Sequence, residues 1–491
     1  MCPPHNRATA VVWLRRDFRL TDNPAIRHAV AHADQMVLLY IHAPHEECPW
    51  QPGAASNWWL HKSLSAFRER VLKKRARLII RRGDSLETLI RVCRETGAKT
   101  VCWNRLYEPA IMKRDRKLGA ELTRAGIEAF DFGGALLREP GEVVKDDGTV
   151  YRVFTPYCRR HASLPAPDDP LPEPDYLPAF PDSLDSLEIG ELDLLGAVNW
   201  HSGLVEYWEP GEKGTEARLR RFFNEGLERY GEDRDRPALA GVSGLSAHLH
   251  FGEISSRQVW MRMREGDSRP DAAPEESPAW PYLRQLIWRD FACHLLHHNP
   301  RMSDHPLDPM YENFAWESNP ELLERWKRGE TGIPLVDAGM RQLWQTGWMH
   351  NRVRMIVASV LCKNGLVHWL EGARWFWDTL VDADLANNTM GWQWVAGCGP
   401  DAAPYFRIFS PRSQGEKFDP EGHYIRQWVP ELADVPARYI HEPWKRSGDG
   451  GTGPGARYPE PAIDLNRGRL RALDRYRDAR AAWTLSGGGG Q

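Results

Sequence analysis

The sequence predicts an α/β plus all-α protein, with a doubly wound parallel sheet in its N-terminal domain and a helical C-terminal domain. Over residues 10–132, short apolar runs alternate with amphipathic helical segments, which is typical of a parallel sheet covered by helices. From about Gly214 onward, helical patterns dominate. We therefore expect an α/β domain at residues 8–134, a connector at 135–200, a helical domain at 201–483 and a disordered tail at 484–491.

The composition indicates a soluble globular protein. The chain has 491 residues, of which 42% are hydrophobic and 27% charged, so that it can bury the cores of roughly two or three domains. It contains no apolar run of the ~20 residues that span a membrane, no apolar signal-peptide core, and eight scattered cysteines. We therefore expect a cytoplasmic protein. The formal charge of −3 does not exclude nucleic acid, because a local basic face is sufficient.

The predicted strands are apolar runs at Ala10–Leu14, Met36–His42, Leu78–Ile80, Thr100–Trp103 and Ile127–Phe132. Helix signals lie between them. Asn23, before a proline, and Asp84 suit N-caps, whereas Gly97 and Gly126 suit helix C-termini. The charged turn at residues 14–19 has no G-x-G-x-x-G fingerprint and by itself predicts a solvated loop.

A Ser/Gly loop, Gly241–His248, leads into a predicted helix. Its backbone N–H groups and hydroxyls, together with the helix dipole, suit an anion such as phosphate. The alternative is simple capping, because Ser and Gly begin helices without any ligand. Ahead of the loop, the Pro- and Asp-rich residues 165–181 predict an extended connector.

Polar and bulky aromatic side chains are most crowded in the segment Asp382–Phe409. Two acids, adjacent amides, an arginine and two tryptophans suit a site that holds a flat, polar-edged ligand against aromatic faces. For Asp382 and Asp384, the alternatives are helix capping and a divalent-metal site, and the metal site lacks further acids nearby.

Residues 335–363 predict two helices that are broken near Gly347. The second helix carries Arg354 within an otherwise apolar sequence. A buried cation needs an acid partner, and Asp382 is the candidate.

The helix around WPYLRQLIWRDF places Gln285, Trp288 and Arg289 on one side. For Trp288 alone, core packing is the favoured interpretation. A group of histidines follows, and a solvated helix end explains it better than a metal site because no acids accompany it. These histidines are His294, His297, His298 and His305.

Several of these segments together resemble the DNA photolyase/cryptochrome family from about Val11 to Ala482. The matching motifs are LRRDFRLTDNPA, WNRLYEP, YRVFTPY, LIWRDF, TGWMHNRVRM, DADLANNTMGWQW and DAAPYFRIF. Within the family, the chain is most similar to bacterial class I cyclobutane pyrimidine dimer (CPD) photolyases. The resemblance implies an α/β antenna domain and a helical domain that binds FAD. It leaves the antenna chromophore open: deazaflavin, methenyltetrahydrofolate, a second flavin or none.

The resemblance also implies which residues contact FAD. In this role it places Tyr230, Val242, Ser243, Gly244, Leu245, Ser246, Arg354, Asp382, Ala383, Asp384 and Asn388. Asn388 matches the position opposite flavin N5, where a neutral amide can accept a hydrogen bond from the reduced ring. Val242 and Gly244 depart from the family, in which many members have Thr and Arg. Glu108 matches an antenna contact, although a helix start explains it equally well.

Three tryptophans, Trp316, Trp369 and Trp392, match the family's chain that carries electrons from the surface to photoexcited flavin. The residues that would contact damaged DNA are Arg234, Gln285, Trp288, Arg289, Asn351, Arg352, Met355, Trp394 and Gln414, with Arg407, Arg412 and Lys417 as weaker phosphate contacts. The two lesion-side tryptophans would stack on bases that are flipped out of the duplex.

The implied activity is light-driven CPD repair, in which photoexcited reduced FAD passes an electron to the dimer and recovers it after ring splitting. Gln285 departs from this class, because CPD photolyases typically have Glu there and (6–4) photolyases have Gln. Asn351 and Met355 oppose the (6–4) interpretation, since that class has a histidine pair. The expected partner is UV-damaged DNA, and no membrane is involved. We expect a monomer that is associated with the nucleoid when it is bound to DNA. The alternatives are a cryptochrome-like photoreceptor and a light-independent flavin oxidoreductase.

Overall fold

The computed structural model describes residues 8–180, 182–197, 199–265, 273–401, 405, 407–445 and 458–486. The chain forms two compact units. The first runs to Tyr151 and adds Thr155–Glu225 and Ser243–Pro300, whereas the second contains Arg152–Phe154, Gly226–Val242 and the chain from Arg301 onward. These units follow the packing of the backbone, and the domain limits given above stay predictions.

A five-stranded parallel sheet forms the centre of the first unit, with strand order β3-β2-β1-β4-β5. Its strands are β1 (Thr9–Leu14), β2 (Gln35–His42), β3 (Leu78–Arg82), β4 (Thr100–Asn104) and β5 (Glu128–Phe132). The central strand β1 is buried along its whole length, as expected for a strand covered by helices on both faces. All five predicted strands and the doubly wound fold are confirmed.

Ten helices of the described residues belong mainly to the first unit: α1 (Pro24–His32), α2 (Ala54–Lys73), α3 (Ser85–Thr96), α4 (Pro109–Arg124), α5 (Phe154–Ser163), α6 (Ser202–Tyr207), α7 (Glu212–Arg221), α9 (Ser246–His250), α10 (Ser256–Arg264) and α11 (Trp280–His298). The predicted caps are present. The side chain of Asn23 accepts from the backbone N–H of Ile26 at 3.2 Å, and Asp84 accepts from Glu87 at 2.9 Å. Gly97 adopts the left-handed conformation that ends α3.

The charged turn after β1 is buried, so the prediction of a solvated loop is wrong. Arg19 is 2% exposed. Its guanidinium donates to the carbonyl oxygens of Asp22 and Gly134 at 2.8 Å and of Gly252 at 3.0 Å. Asp17 accepts from Asn104 at 2.6 Å. The hydrogen bonds of Arg19 and Asp17 inside the unit offset the cost of burying these charged side chains.

The second unit is helical in its described part: α8 (Tyr230–Asp233), α12 (Pro320–Arg328), α13 (Pro334–Thr346), α14 (Asn351–Ser359), α15 (Trp369–Thr379), α16 (Leu385–Ala396), α17 (Pro411–Phe418), α18 (His423–Trp428) and α19 (Leu465–Leu485). The predicted break at Gly347 is confirmed, since this residue ends α13 with a φ of 65°. No helix of the described chain is long and apolar enough to cross a membrane.

The helix α19 extends to Leu485 and so reaches into the segment 484–491, for which the sequence predicts a tail. Its C-cap Ser486 donates its backbone N–H to the carbonyl of Ala482, which continues the helical hydrogen bonding into this segment. Residues 487–491 lie outside the described residues.

Lys363 is an unusual core residue of the second unit. It is 0% exposed, and its Nζ donates to the carbonyl of Tyr405 at 2.9 Å. The same Nζ lies 3.7 Å from the centroid of the Tyr405 ring. Burial lowers the pKa of Lys363 to about 7, because a low-dielectric interior disfavours the charged amine.

We expect Lys363→Met to change how the free energy of unfolding depends on pH. Above about pH 7 the folded wild type has lost the Lys363 proton, whereas the unfolded chain keeps it up to its ordinary value of 10.5. The wild type should therefore gain stability relative to the variant as pH rises from about 7 to about 9, by at most ~1.4 kcal/mol per pH unit. Urea denaturation at several pH values measures this difference, and parallel profiles would contradict it.

Candidate functional site

The ion pair between Arg354 and Asp382 is present as expected. Nη2 of Arg354 lies 3.0 Å from Oδ1 and 2.8 Å from Oδ2 of Asp382. Nε of the same arginine donates to the carbonyl of Met349 at 2.8 Å. The side chain of Asp382 is only 5% exposed, so removal of the arginine would leave a buried carboxylate without its partner. The pair connects α14 to the loop that precedes α16.

Asp384 is the N-cap of α16, which confirms the capping alternative for this residue. Its Oδ1 accepts from the backbone N–H of Asn387 at 2.9 Å and from the Asn387 side chain at 2.7 Å. Between the two acids, Ala383 is buried. One turn into the helix, Nδ2 of Asn388 donates to the carbonyl of Ala373 on α15 at 3.0 Å. This contact fixes the orientation of the Asn388 amide.

Two of the three tryptophans of the predicted electron path are buried and the third is partly exposed, and the path itself stays a prediction. Trp392 is 3% exposed and Trp369 is 1% exposed, whereas Trp316 is partly exposed. The ring of His368 packs against two of these tryptophans, with its centroid 5.8 Å from that of Trp369 and 5.3 Å from that of Trp316. The sequence argument missed His368, although its position directly before Trp369 was visible.

Trp326 is a second residue that the sequence argument missed. It is 0% exposed, and its indole N–H donates to the carbonyl of Val357 at 3.0 Å. Its ring meets Trp392 edge-on with centroids 6.1 Å apart. On its other side, the Trp392 ring of α16 packs against Gly372 of α15. A Cβ added at Gly372 would lie only 2.0 Å from this ring. Trp392 is therefore fixed from two sides.

Arg352 is held by two groups that the sequence did not indicate. Its Nη2 pairs with Asp235 at 2.7 Å, and its guanidinium lies 4.5 Å from the centroid of Phe418. Asn351 is exposed at the start of α14, and Met355 is partly exposed one turn later. Both predicted lesion-side residues therefore have access to solvent.

The other predicted DNA contacts of the second unit are placed as follows. Trp394 is partly exposed and stacks on Phe409 with centroids 6.4 Å apart. The guanidinium of Arg234 lies 5.3 Å from the centroid of Tyr230. Oε1 of Gln414 is buried, with no hydrogen-bond partner among the described residues.

Two of the three weaker phosphate candidates, Arg412 and Lys417, lie on α17, and Arg407 precedes it. Arg412 pairs with Glu416 at 2.8 Å and with Glu442 at 3.0 Å. Lys417 lies over the ring of Phe418 at 5.1 Å. Arg407 is exposed.

On α11 of the first unit, the predicted lesion-side residues have different environments. Trp288 is partly exposed and meets Phe291 edge-on at 5.8 Å, so it is not simply a core residue. Nε2 of Gln285 donates to the carbonyl of Pro281 at 3.0 Å. Arg289 donates to the carbonyl of Ala135 and, at 3.2 Å, to the hydroxyl of Ser256. These contacts favour a structural role for Arg289 over its predicted contact with DNA.

The Ser/Gly loop is divided between the units: Val242 ends a segment of the second, and Ser243 to Ser246 belong to the first. The hydroxyl of Ser243 accepts from the hydroxyl of Tyr282 at 3.0 Å and from the backbone N–H of Leu245 at 3.3 Å. Gly244 has a φ of 64°, a conformation that favours glycine. Ser246 begins α9, a helix of only five residues.

Glu108 stands at the N-cap position of α4 but makes no capping hydrogen bond with its side chain. It pairs instead with Arg16 at 2.6 Å. The carboxylate is therefore neutralised within the unit, and its predicted antenna contact stays a prediction.

The histidine cluster lies mainly on α11 and shows no metal-binding arrangement. Nδ1 of His294 is 2.9 Å from the carbonyl of Pro140, and Nε2 is 3.2 Å from that of Tyr151. His294 is 0% exposed, so the prediction of solvated histidines is wrong for this residue. In the described parts of the chain, no group of three or more His, Cys, Asp or Glu side chains could hold a metal ion.

Comparison with known proteins gives matches along almost the whole chain. The family described as DNA photolyase matches residues 10–175, and the FAD binding domain of DNA photolyase matches residues 282–478. Deoxyribodipyrimidine photo-lyase of Agrobacterium fabrum is 42% identical over 96% of this chain and 98% of its own length. Cryptochrome-1 of Arabidopsis thaliana is 36% identical over 94% of this chain and 69% of its own length.

A solved structure extends the comparison to the fold. The bacterial class III photolyase from Agrobacterium tumefaciens superposes with a TM-score of 0.92 at 40% sequence identity. The match covers 98% of this chain and 99% of that chain. The arrangement of a parallel sheet and helices described above is therefore shared with a photolyase.

We expect Gly372→Ala to destabilise the protein, because the new methyl group would overlap the Trp392 ring at 2.0 Å. Overpacking of this kind costs about 1–3 kcal/mol. Gly391→Ala, on α16, is the matched control because nothing lies within 4 Å of its added Cβ, and helix propensity should make it neutral or stabilising by up to ~1 kcal/mol. Urea denaturation and near-ultraviolet circular dichroism measure both variants. Equal stability of the two would contradict the close packing.

Proposed function

Because the chain belongs to the DNA photolyase/cryptochrome family, we propose that it is a DNA photolyase that repairs cyclobutane pyrimidine dimers with light. The observation that supports this most directly is the Arg354–Asp382 ion pair next to the helix that carries Asn388 and Trp392. We assign the protein to class III, the class named for the A. tumefaciens structure. This replaces the class I assignment made from the sequence.

The residues present fit FAD. Asp382 carries a buried, arginine-paired charge, and Gly244, with a φ of 64°, adds no side chain at its own position in the Ser/Gly loop. We assign FAD to the residues named by the resemblance, with Ser243 and Ser246 at its phosphates. When bound and reduced, the flavin supplies the electron that opens the dimer under light and recovers it afterwards. Whether the protein also binds an antenna chromophore, and which one, stays open.

The ion pair and Asn388 control the charge around the reactive ring. Asp382 and Arg354 together are neutral, and their fixed geometry provides a dipole that needs no reorganisation during the reaction. The amide of Asn388 is fixed by its hydrogen bond to Ala373. The amide is neutral at every pH. Its oxygen can therefore accept a hydrogen bond from an N–H group without adding charge beside a reduced ring.

For the lesion, we assign the stacking role to Trp288 and Trp394, each of which is partly exposed. Flat aromatic side chains contribute about 1–3 kcal/mol per stacked base. Gln285 can donate a hydrogen bond to a thymine carbonyl without first taking up a proton. Asn351 and Met355 offer no acid for the proton transfer of (6–4) repair, which favours the CPD as substrate.

The proposal is tested by repair of oligonucleotides that contain one CPD or one (6–4) photoproduct. Purified, reduced protein is incubated with each substrate in blue or near-ultraviolet light and in the dark, and products are separated by chromatography. We expect light-dependent loss of the CPD only. Loss of the (6–4) product instead would show that Asn351 and Met355 do not exclude that chemistry. If neither lesion is repaired while flavin photoreduction is intact, the result would favour a cryptochrome-like photoreceptor. This outcome would be consistent with the similarity to Cryptochrome-1.

We expect Arg352→Gln to weaken binding to damaged and undamaged DNA alike, because a phosphate contact carries no sequence information. Each phosphate contact releases counterions, so the slope of log Kd against log salt should become shallower by about 1. Binding is measured by fluorescence anisotropy between low and physiological salt. The control is Arg124→Gln, whose arginine is 73% exposed on α4 and has no role in the proposal. An unchanged slope in Arg352→Gln would remove this arginine from the DNA contact.

A further inference from the structure

Two arginines of α14 are each paired with a carboxylate, and the two ion pairs differ in burial. Nη2 of Arg354 lies 2.8 Å from Asp382, whose side chain is 5% exposed. Nη2 of Arg352 lies 2.7 Å from Asp235, whose side chain is 32% exposed. The buried pair is costly to break. The pair of Asp235 is partly open to water and contributes less to stability, so Arg352 can exchange this carboxylate for another anion.

Arg352 is also held by contacts that do not involve Asp235. Its guanidinium lies 4.5 Å from the centroid of the Phe418 ring. Its backbone N–H donates to Nδ1 of His350 at 3.2 Å, at the start of α14. Burial lowers the pKa of His350 to about 4, so this ring is uncharged at neutral pH and adds no second charge beside the pair. These contacts keep Arg352 in place when the anion at its guanidinium changes.

Asp235 lies in a segment that carries another predicted DNA contact. It directly follows Arg234, which is the C-cap of α8. The neighbouring acid Asp233 pairs within the segment, with Arg229 at 3.4 Å, whereas Asp235 pairs with Arg352 of a helix far along the chain. A phosphate that contacts Arg352 therefore has to approach the negative charge of Asp235.

We propose that Asp235 competes with DNA phosphate for Arg352 and thereby weakens binding to DNA that offers only its backbone. This inference rests on the proposed function, in that Arg352 contacts a phosphate of the DNA. Two negative groups that share one guanidinium repel each other, so the carboxylate opposes a contact that any DNA sequence could make. Asp235 acts through Arg352 and touches no reacting atom.

The test measures the Kd of a fluorescently labelled, undamaged DNA duplex for the wild type, Asp235→Asn and Glu431→Gln, by anisotropy at several salt concentrations. Glu431→Gln is the matched control. Glu431 also pairs with an arginine, Arg341, at 2.8 Å, its side chain is 34% exposed, and its substitution removes the same charge. We expect Asp235→Asn to lower the Kd about three- to tenfold at low salt. The gain should shrink as salt screens the repulsion, and Glu431→Gln should match the wild type.

The same substitution in an Arg352→Gln background separates competition for this arginine from general repulsion of DNA. Without Arg352 the carboxylate has no cation to compete for, so adding Asp235→Asn should lower the Kd no more than Glu431→Gln does. An equal gain in both backgrounds would show that Asp235 repels DNA without acting on Arg352, and the inference would be wrong. Asp235→Ala, which removes the same charge with a smaller side chain, should reproduce the gain of Asp235→Asn.

A structural role for Asp235 predicts a change of opposite sign. If the carboxylate only orients Arg352 towards the DNA, Asp235→Asn and Asp235→Ala would both raise the Kd. That result, or a Kd equal to that of Glu431→Gln, would overturn the inference while light-dependent CPD repair, and with it the proposed function, stood. A wild type that binds neither undamaged DNA nor DNA with a CPD would instead overturn the proposed function itself.

Discussion

The ion pair between Arg354 and Asp382 is the constraint on which the organisation of the second unit depends. The Asp382 side chain is only 5% exposed and is paired with Arg354, and breaking a buried pair of this kind is costly, so the contact holds the loop before α16 against α14. Asp384 then caps α16 two residues later, and this fixes where the helix begins. The rotation of α16 follows from its start, and with it the directions of Asn388 and Trp392.

The contact between α15 and α16 also fixes the position of the Trp392 ring, for which the proposed function includes electron transfer. Gly372 lets the Trp392 ring approach the backbone of α15 more closely than any side chain would allow. Trp326 closes the other side at 6.1 Å, and Asn388 ties the two helices through Ala373. Electron transfer between aromatic rings depends on their separation, so a tryptophan without room to move suits this role better than a loosely packed one.

Local signals in the sequence predicted the elements, whereas contacts between distant segments could not be predicted. Asn23, Asp84 and Gly97 each act within a few residues of their own helix, and all three were identified correctly. The Arg354–Asp382 pair was also predictable, since an arginine in an apolar helix demands an acid. Two other features could be seen only in the tertiary structure: the pairing of Arg352 with Asp235 and the burial of Arg19. In each case a charged residue that looks solvated in the sequence is placed by a segment far along the chain.

Two of the predicted phosphate-binding arginines share a feature that bears on the proposed selectivity. Arg352 is paired with Asp235 and stacked on Phe418, and Arg412 is paired with two glutamates. A phosphate that approaches such an arginine must compete with a carboxylate already in place, which weakens binding to any DNA. It also holds the guanidinium in one orientation before DNA arrives, which lowers the entropy lost on binding. Under the proposed function, arginines that are neutralised in this way contribute little to the binding of undamaged DNA, so the affinity for damaged DNA would come from stacking on the lesion. Strong discrimination for damage then follows from weak attraction to the backbone, without any contact that reads sequence.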